Sequence, residues 1–382
     1  MSSLLHSSQA KVVSPPSSWL VVGAGLSGLM AAQHLAQQGH VVTVVDKGRG
    51  FGGRLATRRL GLAHCDHGAQ YFTVRTPAFA AVVKDWQANG WVCPWFETLN
   101  TVNGGQVTLG PVPHTRYVGQ HGMSSLPKAL AAVLEAEQEV AFFKSQRAVQ
   151  LQWLTTQQCW QLTVEALDAP EQATPPLRKH YAQHVLLTCP MPQTLELLAT
   201  SPTPLLTGEE TATLQGISYA PSLAFMWMLP PHLPAVAQEA LQRLAPGFKV
   251  EGADTLAWVG YNHAKGGNPA TPQALTLHAT PAFSQQAFEA AATAPAEVMQ
   301  QLVQALNTAL GLSAAEALAP PATAEAWQLH RWRYAQVTQG LAPLHWQASQ
   351  HPTLLLAGDA FGSEAPSAGK VEAAVLSGLS IG

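Results

Sequence analysis

Charge is scarce in this chain. Only 11% of its 382 residues are Asp, Glu, Lys or Arg, against a usual share of about a quarter. The formal net charge is −3 and no Lys/Arg cluster alternates with aromatic residues, which argues against nucleic acid as a partner. Cysteine is also scarce. Cys65, Cys93, Cys159 and Cys189 show no CxxC spacing and no accompanying histidine pattern. They read as reduced packing thiols of a cytoplasmic protein, with no metal site. No apolar run reaches the roughly 20 residues of a membrane span. The opening residues 1–18 hold serines and Pro15-Pro16 but lack the apolar middle of a signal peptide, and read as a disordered extension. No obvious acid/base pair stands out either. What remains is a chain 47% hydrophobic, able to bury a sizeable core with cavities.

The most informative stretch is Trp19-Leu20-Val21-Val22 followed by Gly23-Ala24-Gly25-Leu26-Ser27-Gly28. The apolar run reads as a buried parallel strand, and Leu26, Leu29, Met30 and Leu35 then recur at helical spacing. Gly23 allows a tight turn, Gly25 lets backbone approach a pyrophosphate, and Gly28 lets helix and strand pack closely. The helix N-terminus offers free N–H groups and a positive dipole end to phosphates. Val41–Val45 forms a second strand ending in Asp46, roughly 20 residues past the loop, where an acid can accept ribose hydroxyls. Taken alone, the loop leaves NAD and FAD both open. A second glycine-rich loop, Lys47-Gly48-Arg49-Gly50-Phe51-Gly52-Gly53-Arg54, can bring backbone N–H groups and cations to the same diphosphate.

Further along, Thr76-Pro77 opens a helix that Gly90 stops, and Asn103-Gly104-Gly105 makes a hairpin turn. Ser124-Ser125-Leu126-Pro127 starts another helix. Residues 140–164 read as a meander of short strands, 169–180 as a long loop, and 184–190 as a buried strand followed by a helix over 193–199. Beyond Ser201 strands are expected at 223–229, 255–261, 274–279 and 326–335, with helices near 284–291 and 296–310. Residues 353–357 then form a short strand ending in Gly358-Asp359, and a last helix begins near Gly369. The expected division is a discontinuous nucleotide-binding domain (19–76, 118–201, 346–382) and an inserted substrate domain (77–117, 202–345).

The combination of Gly23–Gly28, Asp46, Arg49–Arg54 and Gly358-Asp359 resembles the FAD-dependent amine-oxidase superfamily. Within it, Asp46–Arg54, Asp66–Thr73, Arg116–Gly119, His330–Ala335 and Val371–Gly378 are similar to the renalase family, and the likeness spans nearly the whole chain from Trp19. The resemblance implies an α/β fold: a Rossmann-like FAD-binding domain of the p-hydroxybenzoate hydroxylase/amine-oxidase type, with an α+β substrate domain on a mixed or antiparallel sheet. It implies non-covalent FAD and oxidation of a small molecule by oxygen. The family's reaction is hydride removal from 2- or 6-dihydro isomers of NAD(P)H, giving NAD(P)+ and hydrogen peroxide. The family's Asn with a following Ser-Lys-Pro pattern is matched here by Asn262 and Lys265 without the proline.

On this resemblance the FAD contacts fall on Gly23, Gly25, Leu26, Ser27, Gly28, Asp46, Lys47, Arg49, Gly53, Arg54, Gly68, Ala69, Gln70, Tyr71, Gly358, Asp359 and Val371. Asp46 would hold the adenosine ribose, Arg49 and Arg54 the diphosphate and flavin side, and Asp359 the ribityl chain. The last helix would turn its positive end to the flavin. Tyr71, Asn262, Trp332 and Arg333 are the substrate-binding candidates, an aromatic wall and polar groups suiting a planar nicotinamide. Hydride transfer from a dihydropyridine needs no general base, and His67, His263 and His330 read first as structural. Three other readings stay open. An amine oxidase would use Lys265 near the flavin. A NAD-dependent dehydrogenase leaves Gly52-Gly53-Arg54 and Gly358-Asp359 without a role. A non-catalytic flavin-binding sensor is motivated by the unusual loop 360–370.

Overall fold

Strand Ser18–Val22 is flanked by parallel neighbours on both sides, with Leu20 opposite Val185 in one and Thr43 in the other. A strand so enclosed buries alternate side chains on both faces, which is why it reads as a continuous apolar run. Trp19 and Val21 pack with Ala32 and Leu35 of helix Leu26–Gln37 and with Leu134 of helix Ser125–Ala136. Leu20 and Val22 pack on the opposite face with Leu151, Trp160 and Leu162. The computed structural model describes residues 17–137, 140–168, 176–262, 265, 272–362 and 370–382.

That strand is near the middle of a six-stranded sheet. Its order is Trp346–Gln347, Leu354–Leu356, His184–Leu187, Ser18–Val22, Val41–Val45 and Val140–Phe143. Only the edge pair with Trp346–Gln347 is antiparallel. The face carrying Leu20 and Val22 is covered by a three-stranded antiparallel meander, Gln146–Leu154, Cys159–Ala166 and Leu177–Ala182. An eight-stranded mixed sheet forms the other lobe. Its order is Trp327–Gln339, Ser218–Met228, Ala274–Ala279, Leu256–Tyr261, Gly247–Val250, Val92–Asn103, Gln106–Gly119 and Phe72–Thr73, and only Gly247–Val250 with Val92–Asn103 is parallel. In Ser218–Met228, Leu223, Phe225 and Trp227 point to helices Ala235–Leu244 and Pro295–Leu310. Met226 points the other way, packing with Leu60, Ala63 and Cys65 of the hairpin Thr57–Leu60/Ala63–Asp66. Period-two alternation thus sends one face to the helices and the other to the nucleotide lobe.

The architecture is α/β with a Rossmann-like lobe and a second lobe on a mixed sheet. Several local expectations change. Leu177–Ala182 is a strand, not part of a loop, because backbone pairing with Cys159–Ala166 supplies the order that its polar side chains do not advertise. Residues 169–175 of that loop lie outside the described residues, as do 1–16 of the N-terminal extension. Ser18 already belongs to the first strand, so the extension ends before it. The helix expected near 284–291 is two short ones, Pro281–Gln286 and Ala290–Thr293. Helices Gly208–Gln215 and Ala235–Leu244 and the hairpin 57–66 were not anticipated. Among the described residues no helix is long and apolar enough to cross a membrane.

Candidate active site

The two glycine loops lie against each other. The Gly52 N–H donates to the Ala24 carbonyl at 2.8 Å, and Gly25 and Gly52 form an isolated parallel bridge. A side chain on Gly28 would run into the Gly23 carbonyl, whereas one on Gly25 would meet nothing within 4 Å. The cradle is therefore tight beneath and open above. The helix that starts here has Gly25 as its cap with no side-chain cap bond, and the buried Ser27 hydroxyl in its first turn has no partner. Uncapped N–H groups and an orphaned hydroxyl at a helix N-terminus suit an anionic ligand. Asp46 sits between the loops, its two carboxylate oxygens accepting from the N–H groups of Ala24 at 2.6 Å and Gly48 at 2.5 Å. Each oxygen keeps a lone pair for a ribose hydroxyl. Lys47 and Arg49 are exposed at the mouth of the second loop.

Arg54 leaves this loop in the opposite direction. Its Nη2 lies 2.6 Å from Asp359 Oδ1, and Nη1 donates to the Tyr334 carbonyl at 3.4 Å. One guanidinium therefore links the glycine loop, the end of strand Leu354–Leu356 and the long strand Trp327–Gln339. Gly358 donates its N–H to Ser377 Oγ of the last helix at 2.9 Å. Val371, in that helix, is buried in the same core as Leu26 and Leu55, so only its backbone is available to a ligand. Residues 363–369, most of the unusual loop, lie outside the described residues.

The segment Asp66–Tyr71 passes over the second loop. The Ala69 N–H donates to the Arg54 carbonyl at 2.9 Å, and a side chain on Gly68 would collide with that carbonyl. A buried ion pair anchors the segment: Lys265 Nζ is 3.1 Å from Asp66 Oδ2, the two side chains 2% and 1% exposed. Lys265 also donates to the carbonyl and the side-chain oxygen of Gln70, each at 3.0 Å, and lies 4.6 Å from the centre of the Trp95 ring. Burial pulls the Lys265 ammonium below its ordinary pKa, and Asp66 opposes that shift. Asp66 accepts further bonds from Thr57 and the Met123 N–H. Asn262 accepts from the Asp66 N–H at 3.0 Å and donates to Thr276 at 2.7 Å, so both ends of its amide are in use. His263 lies outside the described residues.

Tyr71 belongs to an aromatic cluster with Trp95, Phe96 and Trp258. Trp332 stacks on His67 with ring centres 5.3 Å apart and planes at 17°, and donates its Nε1–H to the His67 carbonyl at 2.7 Å. His330 meets both rings edge-on. Burial, reinforced by His330 and Arg58, pushes His67 down to about 3. Burial first, then the nearby arginines, pushes His330 down to about 4. These imidazoles are neutral at pH 7. Arg333 is one residue away from Trp332 in sequence but on the other face of the strand, 4.5 Å over the Phe288 ring and 3.5 Å from Glu289. The structure thus groups Trp332 with His67, and separates both from Arg333.

The Rossmann-like portion, residues 21–86, matches the model of the NAD(P)-binding Rossmann-like domain. Residues 92–381 match the model of the flavin containing amine oxidoreductase, which is well over half of the chain. The chain belongs to the flavin containing amine oxidoreductase family. As a member it is an FAD-dependent oxidoreductase, and the open cradle and uncapped helix fit the diphosphate of that cofactor. Protein anon-37Cs of Drosophila melanogaster is 45% identical over 56 residues, 14% of this chain and 11% of the relative. Its counterpart in Drosophila lebanonensis is 43% identical over 53 residues. The match thus spans about a tenth of the length of these curated relatives. Among solved structures, a protein of Exiguobacterium sp. 255-15 named for protoporphyrinogen oxidase has a TM-score of 0.64 at 15% identity, covering 96% of this chain and 98% of that one. Putrescine oxidase bound to putrescine has a TM-score of 0.62 at 13% identity, covering 96% and 98%. At such identity these two share the fold.

In this flavoprotein, sequence reasoning gave no role to Asp66, Thr188 or Tyr219. Asp66 carried a signal, its place at the head of the stretch Asp66–Thr73 that resembles the renalase family. Thr188, whose hydroxyl donates to the Val22 carbonyl at 3.1 Å beneath the glycine loop, and Tyr219 carried none, because only the sheet brings them to the site.

Proposed function

We propose that this flavoprotein is an oxidase of the renalase kind, removing a hydride from 2- or 6-dihydro isomers of NAD(P)H and giving NAD(P)+ and, with oxygen and a proton, hydrogen peroxide. The observation that carries the reading is the wall of neutral rings, Trp332 stacked on His67 with His330 against both, on the same strand whose Tyr334 carbonyl accepts from Arg54. A flat, uncharged aromatic surface suits a dihydropyridine ring and its cationic product. Imidazoles held neutral down to about 4 are poor bases, and hydride transfer from a dihydropyridine needs none.

Bound FAD supplies the hydride acceptor and the route of the electrons to oxygen. Gly23, Gly25, Leu26, Ser27, Gly28, Gly53 and the exposed Lys47 and Arg49 would hold its diphosphate, Asp46 its adenosine ribose. Arg54 and Asp359 would meet its flavin end, and Gly68, Ala69, Gln70, Tyr71, Gly358 and Val371 its surroundings. Trp332 would orient the substrate ring. Asn262 would act through Asp66, its amide being engaged. Lys265 speaks against the amine reading, since Asp66 and Gln70 already take its three protons. The discontinuous division into 19–76, 118–201 and 346–382 against 77–117 and 202–345 is supported by the sheets, with Phe72–Thr73 crossing into the larger one. Four unpaired cysteines are in keeping with the cytoplasm.

The test mixes the purified yellow protein, without oxygen, with the dihydro isomers, ordinary NADH and a panel of amines. Rapid bleaching of the flavin by the isomers alone is expected. Bleaching by an amine would replace this reading, and no bleaching at all would leave a sensor. Asp46→Ala and Arg54→Ala should each lower the flavin retained on gel filtration, and unchanged flavin in both would move the cofactor elsewhere.

A further inference from the structure

Gln70 is buried where the segment Asp66–Tyr71, Lys265 and strand Ala274–Ala279 meet, and its amide can stand only one way round. Lys265 Nζ donates to its side-chain oxygen and to its backbone carbonyl, each at 3.0 Å. An ammonium has no lone pair, so the amide nitrogen could not take the place of that oxygen. The amide nitrogen instead donates to the Asp66 carbonyl, with the Gly68 carbonyl at 3.4 Å. Reversing the amide would set its NH2 against the ammonium and its oxygen against two carbonyls, leaving buried groups unpaired.

One of the two amide protons serves this turn. The other is left for His278 Nε2, which lies 3.1 Å from the amide nitrogen. Burial, then the Lys265 charge, pushes His278 down to about 4, so its ring carries a single proton at pH 7. With Nε2 accepting from Gln70, that proton belongs on Nδ1, which faces Ser222 Oγ at 3.4 Å. The turn in its own right bears on the second glycine loop. The Ala69 N–H donates to the Arg54 carbonyl, and Gly68 has no room there for a side chain.

We infer that Gln70 and His278 are positioning residues. The Lys265 ammonium orients the Gln70 amide, the amide holds His278 as its Nδ1–H tautomer, and together they fix the turn 66–70 against the loop that ends in Arg54. The inference rests on the proposed placement of the flavin beside that loop and deepens it: the Nε2 lone pair of His278 is engaged by Gln70, so this imidazole is not a base for the reaction.

The test is nitrogen-15 NMR of the FAD-loaded protein labelled on histidine, the His278 signals being those lost in His278→Gln. Wild type should show Nδ1 carrying the proton and Nε2 without one. Gln70→Glu has no amide proton to give, so Nε2 should gain a proton in that variant. An Nε2–H in wild type, or no change in Gln70→Glu, overturns the inference, and the wild-type spectrum decides even where a variant does not fold. Release of FAD on dilution, followed by the fluorescence of the freed flavin, is the second measurement. His278→Phe fills the space without accepting and should weaken FAD retention about tenfold. His278→Gln keeps an acceptor near the place of Nε2 and should stay within about twofold of wild type. Equal retention in the two variants, or the opposite order, would mean that the ring only fills space and overturns the inference. Neither measurement involves the substrate. The expected tautomer with no bleaching by the dihydro isomers defeats the proposed reaction alone, and bleaching with the opposite tautomer defeats the positioning alone.

Discussion

Lys265 and Asp66 show how much a single pair of residues decides in this site. An ammonium and a carboxylate almost sealed from water lose their hydration, and are tolerated because each is bonded several times over. Lys265 has three acceptors, and Asp66 accepts from Thr57, Met123 and Lys265. Removing one partner strands the other. Lys265→Met is expected to cost about 3–5 kcal/mol of stability. The double variant Lys265→Met/Asp66→Asn should recover a good part of that, since no unpaired charge remains. Urea unfolding of the three proteins checks it, and a double variant no more stable than the single one would show that bonding, not charge, is what the pair supplies. Neither the pairing nor the partner of Lys265 was legible in the sequence. Its two ends are 199 positions apart, and a lysine in a glycine-rich turn reads as exposed. The acid of the glycine-loop motif is the opposite case: Asp46 is fixed by a local strand–turn–helix–strand order, so its place beside Gly23–Gly28 could be anticipated from spacing alone.

At the level of elements, legibility follows the range of the interactions that make each one. Helix Pro77–Ala88 was recognisable because its cap is local: Thr76 Oγ1 accepts from the Phe79 N–H at 3.3 Å and proline follows directly. The strand Leu177–Ala182 was not, because its order comes from a partner strand. Helix Gly208–Gln215 has a strong local signal, a capping box in which Thr207 and Glu210 satisfy one another's backbone N–H groups, yet its sparse apolar face hid it. This contrast makes two helix N-termini useful to compare. Thr207→Ala should lower stability by about 1 kcal/mol and leave FAD content untouched, since the cap serves only its own helix. Gly28→Ala should do both kinds of damage, because its new methyl meets the Gly23 carbonyl at the base of the cradle. Thermal unfolding and the ratio of flavin to protein absorbance distinguish the two. Full flavin content in Gly28→Ala would mean that helix and strand need not approach so closely.

For the whole molecule, the join between the two sheets is where low charge density becomes a property. Beside the Lys265–Asp66 pair and the Arg54 link, the lobes meet through rings and neutral imidazoles: His67 under Trp332 and His330, and His278 between Gln70 and Ser222. Burial pushes His67 down to about 3 and both His278 and His330 to about 4. In the unfolded chain each returns to about 6.5. Between about pH 4 and 6.5 the unfolded chain therefore binds more protons than the folded one, and stability rises with pH across that window. The contribution is fully present above about pH 6.5 and is lost as the pH falls towards 4. Each histidine held neutral adds a slope approaching about 1.4 kcal/mol per pH unit. Urea titrations between pH 5 and 6.5, above most carboxylate titration, should show that slope, and His278→Gln should flatten it by up to one proton's worth. The same slope in His278→Gln would mean that this imidazole takes up its proton while folded. A charged imidazole would then lie next to the Lys265–Asp66 pair in the join between the lobes.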